Sequence, residues 1–146
     1  MSTVWRPHPG IRPIAIGVVR RGSELLVIAV CDDAGNIKGW RPLGGAIEVG
    51  ERAVAALQRE FLEELGEAVT GPRLITVLEN LYEHHGVRGH EIVFVFETAF
   101  ANPHVSRRDN FQFQDGGVDN RASWVDLARF RDGRDRLFPV GLIEVL

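Results

Sequence analysis

The fold of this chain is decided by residues 45–67, which read Gly45-Ala-Ile-Glu-Val-Gly-Glu51-Arg-Ala-Val-Ala-Ala-Leu-Gln-Arg59-Glu60-Phe61-Leu-Glu63-Glu64-Leu-Gly66-Glu67. The part from Glu51 to Leu65 contains no proline or glycine, which predicts a helix. We expect Gly66 to end it, because glycine adopts the left-handed conformation that closes many helices. At about 100° per residue, four apolar side chains form one stripe that should face the core: Val54, Leu57, Phe61 and Leu65.

Three glutamates, Glu60, Glu63 and Glu64, lie on a neighbouring flank of this helix. Like charges three or four residues apart destabilise a helix by roughly 0.2–0.5 kcal/mol per pair. A charge run of this kind usually forms a solvated face. A hard divalent cation would reverse the sign of the interaction, because Mg²⁺ binds carboxylate oxygens together with substrate phosphates. The helix alone leaves both interpretations open.

The spacing of the whole stretch is G-x5-E-x7-R-E-Φ-x-E-E-x-G, in which Φ is Phe61. Seven fixed positions match by chance on the order of once in 10⁸ starting points. This pattern resembles the Nudix box, the motif of the Nudix hydrolase (MutT-like) family. The preceding segment, residues 40–45, is similar to the Trp-x-Leu-Pro-Gly-Gly of many family members, with Pro42 and Leu43 in swapped order. Glu67 departs from the family, which usually has an aliphatic residue there.

The resemblance implies an α/β/α sandwich with a central mixed β-sheet, and the order of the predicted elements agrees with it. It also implies a metal-dependent hydrolase for a nucleoside diphosphate linked to another group, X. Water would attack phosphorus in the pyrophosphate bond, with Mg²⁺ or Mn²⁺ as the cofactor. The partner is therefore a small nucleotide substrate.

The resemblance also implies roles for individual residues, carried over by position. The implied metal ligands are the carbonyl of Gly45 and the carboxylates of Glu60, Glu63 and Glu64, with Glu63 binding directly or through water. Glu60 or Glu63 would deprotonate the attacking water, and Glu51 would contact metal-bound water. Arg59 would hold a box glutamate in place. Because Arg59 lies about 100° round the helix from Glu60, we expect it to reach neighbouring carboxylates instead of that one.

Length and composition set the frame for this interpretation. With 146 residues the chain is predicted to be a single domain over residues 1–146, with residues 1–13 as an extended, proline-containing arm in which Trp5 packs down or frays. The net charge of −3 gives no basic footprint for stable nucleic-acid binding. Cys31 is the single cysteine and is expected in the core. No apolar run or signal peptide indicates a membrane, so we expect a cytoplasmic protein, with monomer and homodimer both open.

Outside the box, the sequence predicts further elements. Strands are expected at residues 14–19, 24–30, 74–82, 91–100 and 123–125, and helices at 127–130 and 139–146. The first two strands should form a hairpin, and Asp126 should cap the first of the two helices. Residues 32–36 read as a turn, and residues 101–120 as a long polar loop that acts as a lid or binding loop.

One more acidic ligand from outside the box is expected, because family members recruit such a residue from varying positions. The candidates on strands are Glu79 and Glu91, slightly favoured because each has apolar neighbours on its face. Asp115 and Asp119 are the candidates in the long loop. The alternative is that Glu79 and Glu91 only form ion pairs. The histidines near residues 84–90 fit no zinc spacing well.

Two other functions stay open at this point. One is a catalytically silent Nudix-fold module that binds or senses a nucleotide, although the intact glutamate set disfavours it. The other is a hydrolase of oxidised nucleoside triphosphates, which is the same chemistry on another X. Some family members that act on diadenosine polyphosphates carry a tyrosine near the position of Tyr82, but a tyrosine in a strand is also common in cores. The sequence does not name X.

Overall fold

The computed structural model describes residues 6, 7 and 9–146, so the expectation for Trp5 lies outside the described residues. The strands are β1 Ile11–Arg21, β2 Glu24–Cys31, β3 Ile37–Arg41, β4 Leu43–Ala46, β5 Val69–His84, β6 Val87–Phe100, β7 Asn110–Asp115 and β8 Val118–Asp126. The helices are α1 Ala53–Leu65 and α2 Leu127–Arg131, and 3₁₀ turns occupy Pro103–Arg107 and Ile143–Val145. None of the described helices is long and apolar enough to cross a membrane.

The strands form one mixed sheet in the order β5-β6-β1-β2-β8-β7, with β4 paired to β1 and β3 paired to β2. Among the named strands of the described residues, β1 and β6 pair in parallel and the other pairs are antiparallel. One apolar cluster lies between the sheet and α1, and a second lies on the side of α2 and the C-terminal segment. The predicted α/β/α sandwich with a central mixed sheet is therefore confirmed.

Helix α1 has the predicted buried face and the predicted end, but it begins at Ala53 and leaves Glu51 in the preceding loop. Leu57 and Phe61 are fully buried, and Val54 and Leu65 pack against the same cluster. The helix ends at Leu65, and Gly66 closes it in the left-handed conformation with φ 69°. The polar residue at position 67 therefore does not move the end of the helix.

The first hairpin and the cap of α2 are confirmed as well. The strands β1 and β2 pair through the register Arg20↔Leu25 and Arg21↔Glu24. The side chain of Asp126 accepts a hydrogen bond from the backbone N–H of Ala128 at 2.8 Å. Part of the predicted N-terminal arm is strand, because β1 already begins at Ile11 and pairs with His90 of β6.

Several predictions about secondary structure and burial are wrong. Residues 101–120 are not a structureless loop, since they form a 3₁₀ turn and the β7–β8 hairpin around Gly116 and Gly117. Residues 139–146 do not form a closing helix, because Gly141 has φ 96° and a right-handed helix cannot continue through it. Cys31 is exposed at the end of β2 instead of lying in the core.

A further wrong prediction concerns β5, in which Glu79 was expected to lie among apolar neighbours on one face of the strand. A register shift between Leu74 and Thr76 interrupts the alternation. Ile75 therefore packs against the cluster on the α2 side, while Val77 and Leu81 stay 45% and 66% exposed. Glu79 shares this open face and is exposed, so it is not a desolvated carboxylate.

Candidate active site

Gly44 and Gly45 belong to strand β4, where they pair with Ile16 and Ala15 of β1 and lie next to the box helix. A Cβ on Gly44 would lie 2.0 Å from the carbonyl oxygen of Ala15, so only glycine fits at this position. A Cβ on Gly45 would lie 2.5 Å from the carboxyl carbon of Glu60. The missing side chain at Gly45 therefore leaves the space that the Glu60 carboxylate occupies.

Arg59 organises one side of the site. Its Nε and Nη2 donate to both carboxylate oxygens of Glu51, at 2.8 and 3.0 Å, and Nη2 also donates to the carbonyl of Ala46 at 3.0 Å. Its Nη1 donates to Glu60 at 3.0 Å and to Glu63 at 3.2 Å. The expectation that Arg59 does not reach Glu60 is wrong, because a long guanidinium side chain spans the angle between adjacent helix positions.

These bonds also set the charge states. The hydrogen bond from Arg59, followed by one from the backbone N–H of Glu48, lowers the pKa of Glu51 below its ordinary value. The bonds to Glu51 and Glu60 raise the pKa of Arg59 despite its partial burial. Glu51 and Arg59 therefore form a permanent ion pair that fixes the helix to the β4–α1 loop.

Glu64 is in a different environment. Its Oε2 is buried and has no hydrogen-bond partner among the described residues. The pKa of Glu64 is raised to about 8, mainly by burial and then by the neighbouring charges of Glu60 and Asp115, while Arg41 acts in the opposite direction. Without a cation, Glu64 therefore holds a proton near neutral pH.

The four candidates for an acidic ligand outside the box differ in their surroundings. Asp115, at the end of β7, acts electrostatically on Glu64. Glu91 accepts hydrogen bonds from other residues and Glu79 is exposed. Asp119 accepts a bond from Gln114 at 3.1 Å, and no hydrogen bond of the described chain joins it to a box glutamate. The charge coupling thus favours Asp115 over the two strand glutamates.

The sequence reasoning missed Arg41, which the structure puts within electrostatic reach of Glu64. The sequence contained a signal for this residue, because Arg41 directly precedes the segment Pro42-Leu43-Gly44-Gly45 that leads into the box. Tyr82 is half-buried, its hydroxyl lies 3.5 Å from Glu91, and burial is the main cause that raises its pKa to about 12.

The donor set fits a hard cation, although the fit is not complete. Two acidic groups in contact, one of them with an unpartnered buried oxygen, are an arrangement that a divalent cation stabilises. Within residues 6, 7 and 9–146, no three His, Cys, Asp or Glu side chains already converge at metal-binding distance. Glu63 is 60% exposed, and its carboxylate is bonded to Arg59 at 3.2 Å.

The glycines of β4, the Arg59 network and the glutamates of α1 form an arrangement that agrees with the family comparison. The model of the NUDIX domain matches residues 11–143. The chain belongs to the Nudix family. The resemblance seen in the box is thereby confirmed over most of the chain.

Relatives of known name match parts of this Nudix protein. The nucleoside triphosphatase NudI of Escherichia coli is 40% identical over 57 residues, which is 38% of this chain and 40% of the relative. The chain thus matches less than half the length of that curated relative.

Solved structures match over more of the chain. The MutT Nudix hydrolase of Burkholderia pseudomallei has a TM-score of 0.61 at 21% identity and covers 82% of this chain and 85% of its own. A Nudix hydrolase of Nitrosomonas europaea has a TM-score of 0.62 at 20% identity, with 92% and 84% covered. At these identities the likeness establishes the fold.

Proposed function

We propose that this protein is a metal-dependent Nudix pyrophosphohydrolase that cleaves the pyrophosphate bond of a nucleoside diphosphate linked to another group. The observation that carries the proposal is the close approach of Glu60 and Glu64 beside Gly45, with Oε2 of Glu64 buried and unpartnered among the described residues. Nothing in folding favours two acidic groups in contact, whereas a cation on a phosphate substrate does.

In this proposal, Glu60, Glu64 and the carbonyl of Gly45 hold Mg²⁺ or Mn²⁺, and Glu63 joins them directly or through water. The cation supplies charge stabilisation at the phosphate and lowers the pKa of water. Asp115 adds negative charge near Glu64 and is the favoured acidic residue from outside the box.

The protein's own groups then carry out the remaining steps. Glu60 or Glu63 accepts the proton of the attacking water, and both lie within 3.2 Å of the Arg59 guanidinium, which holds them in place. Arg59 is itself fixed by Glu51 through two hydrogen bonds. Arg59 and Glu51 therefore position the base without contacting the substrate.

The test is a substrate screen with the purified protein in Mg²⁺ or Mn²⁺. The panel holds nucleoside triphosphates, diadenosine polyphosphates, ADP-ribose and a UDP-sugar, and a coupled phosphatase reports product formation. Hydrolysis in ¹⁸O-labelled water identifies the attacked phosphorus by mass spectrometry. Glu64→Gln should lower turnover by about two orders of magnitude or more, because metal charge stabilisation supplies several kcal/mol.

Glu79→Gln is the matched control, since Glu79 is an exposed carboxylate on the other side of the sheet from the Glu91 cluster. It should leave turnover unchanged. A Glu64→Gln variant as active as the parent would refute the metal-site assignment. Nucleotide binding without turnover of any substrate would instead favour the silent binding module.

A further inference from the structure

A polar cluster of Asn80, Tyr82 and Glu91 lies at the ends of β5 and β6. Glu91 accepts a hydrogen bond from the amide of Asn80 at 3.0 Å, and the Tyr82 hydroxyl lies 3.5 Å from its other oxygen. All three residues are half-buried. The ring of Tyr82 covers Gly89 so closely that a Cβ there would come within 2.2 Å of it. Backbone packing therefore fixes this cluster in place.

Two arginines stand beside the cluster. Arg12 is the register partner of Glu91 across β1 and β6, and both Arg12 and Arg41 act electrostatically on Tyr82. Arg41 also acts electrostatically on Glu64, so its guanidinium lies within Coulomb range of both the cluster and the box helix. Within the part of the chain that the structure describes, neither arginine forms an ion pair. Unpaired guanidinium groups at such a place suit phosphate oxygens, which they bind in a bidentate way.

Glu91 keeps capacity for a ligand. An ionised carboxylate has two oxygens with about four lone pairs. Asn80 uses one oxygen and Tyr82 the other, so each oxygen can accept one further donor. A ligand that presents two adjacent donors matches this arrangement. A nucleotide has two such groups, the 2′,3′-diol of ribose and the N1–H with the 2-amino group of guanine.

We propose that Arg12, Arg41 and Glu91 form the subsite for the nucleoside part of the substrate. Arg41 contacts a phosphate oxygen next to the metal site, and Arg12 adds positive charge beside Glu91. Glu91 accepts hydrogen bonds from the two adjacent donors of the ligand. Asn80 and Tyr82 are positioning residues that hold the Glu91 carboxylate. The inference rests on the proposed function, because the orientation of the substrate is taken from the box glutamates.

The experiment compares Glu91→Gln and Arg41→Gln with two controls on exposed residues of the same hairpin, Glu79→Gln and Arg88→Gln. Steady-state kinetics use GTP, dGTP, ITP, UTP and dUTP with Mg²⁺. Glu91→Gln should raise KM about tenfold and leave kcat within about twofold, as expected for a lost charged hydrogen bond. Arg41→Gln should raise KM for every nucleotide, and the controls should match the parent.

Comparison of the five nucleotides identifies which donor group of the ligand binds Glu91. If the ribose diol binds Glu91, the effect of Glu91→Gln disappears for dGTP and dUTP. If the guanine edge binds it, the effect disappears for ITP and UTP but persists for dGTP. An effect of equal size on all five nucleotides, or no effect on any of them, overturns the assignment of Glu91. An equal loss in the two controls would overturn it as well.

A milder variant guards against misfolding. Tyr82→Phe removes only the hydroxyl, so it should raise KM about two- to threefold on the same nucleotides as Glu91→Gln, with an unchanged thermal melt.

Calorimetry with the α,β-methylene analogue of GTP separates the proposed pyrophosphatase activity from the proposed nucleoside subsite. If no nucleotide is hydrolysed but Glu91→Gln weakens binding of the analogue, pyrophosphatase activity fails and the subsite stands. If the analogue binds parent and variant equally, the subsite fails whatever the activity.

Discussion

Substitution of Gly45 by alanine tests whether the Glu60 carboxylate needs the space beside this glycine. The added Cβ would lie 2.5 Å from the carboxyl carbon, whereas ordinary contact begins near 3.4 Å, so the carboxylate must move by about 0.9 Å. The clash is with the end of a side chain and not with backbone. Gly45→Ala should therefore lower the free energy of unfolding by only about 1 kcal/mol.

The catalytic effect should be much larger than the effect on stability. The carbonyl of Gly45 is kept in the variant, but Glu60 is pushed from the position where it bonds Arg59 at 3.0 Å. A displacement of about 1 Å in a catalytic group can lower kcat by about 100-fold. Kinetics on the best substrate of the screen, with a chemical denaturation curve for each variant, measure both quantities.

Two further variants sharpen this test. Gly44→Ala would meet the carbonyl oxygen of Ala15 at 2.0 Å, so it should lower the free energy of unfolding by about 3 kcal/mol. Glu60→Asp shortens the side chain by about 1.5 Å, so adding it to Gly45→Ala should restore part of the activity. If Gly45→Ala kept the kcat of the parent, or if Glu60→Asp gave no rescue, Glu60 would not depend on this space.

Three other outcomes are expected. Arg59→Lys should lower kcat at least tenfold with KM little changed, because lysine cannot make the paired bonds to Glu51; an effect on KM alone would contradict its positioning role. Because the pKa of Glu64 is raised to about 8 from 4.5, the metal-free protein should lose stability as pH rises between these values. Melting curves in EDTA should show Glu64→Gln above the parent at pH 8, with a smaller gap at pH 5, and equal gaps would refute the buried proton. Asp115→Asn should raise the Mg²⁺ concentration needed for half-maximal activity at least threefold, whereas Asp119→Asn should not, because Asp119 bonds Gln114 instead; equal behaviour of the two would exclude Asp115 from the site.

The sequence was sufficient wherever structure is set by neighbours along the chain. The period of Leu57 and Phe61 fixed the buried face of α1, and Gly66 ended that helix through its own conformational freedom. Asp126 capped α2 because an N-cap needs only a side-chain oxygen and an N–H two residues on. The box spacing was enough to indicate the family, since its residues all belong to one continuous segment that runs from the end of β4 through the following loop to the end of α1.

The sequence failed where long-range pairing decides. The pairing of residues 110–115 with 118–126 turned an expected loop into a hairpin, and one register shift in β5 turned Glu79 outward. A register shift of one residue exchanges the two faces of a strand. The local periodicity of the sequence predicts neither such a shift nor the strand with which a segment pairs.

Tertiary structure also decided which charges meet. The sequence analysis slightly favoured Glu79 and Glu91 among four acidic candidates outside the box, whereas the path of β7 brings Asp115 within electrostatic range of Glu64. Arg41 is separated from Tyr82 by about forty positions in the chain, yet the two interact through the fold. Coulomb interactions depend on distance in space and on burial, so their partners follow from the packed sheet and not from residue order.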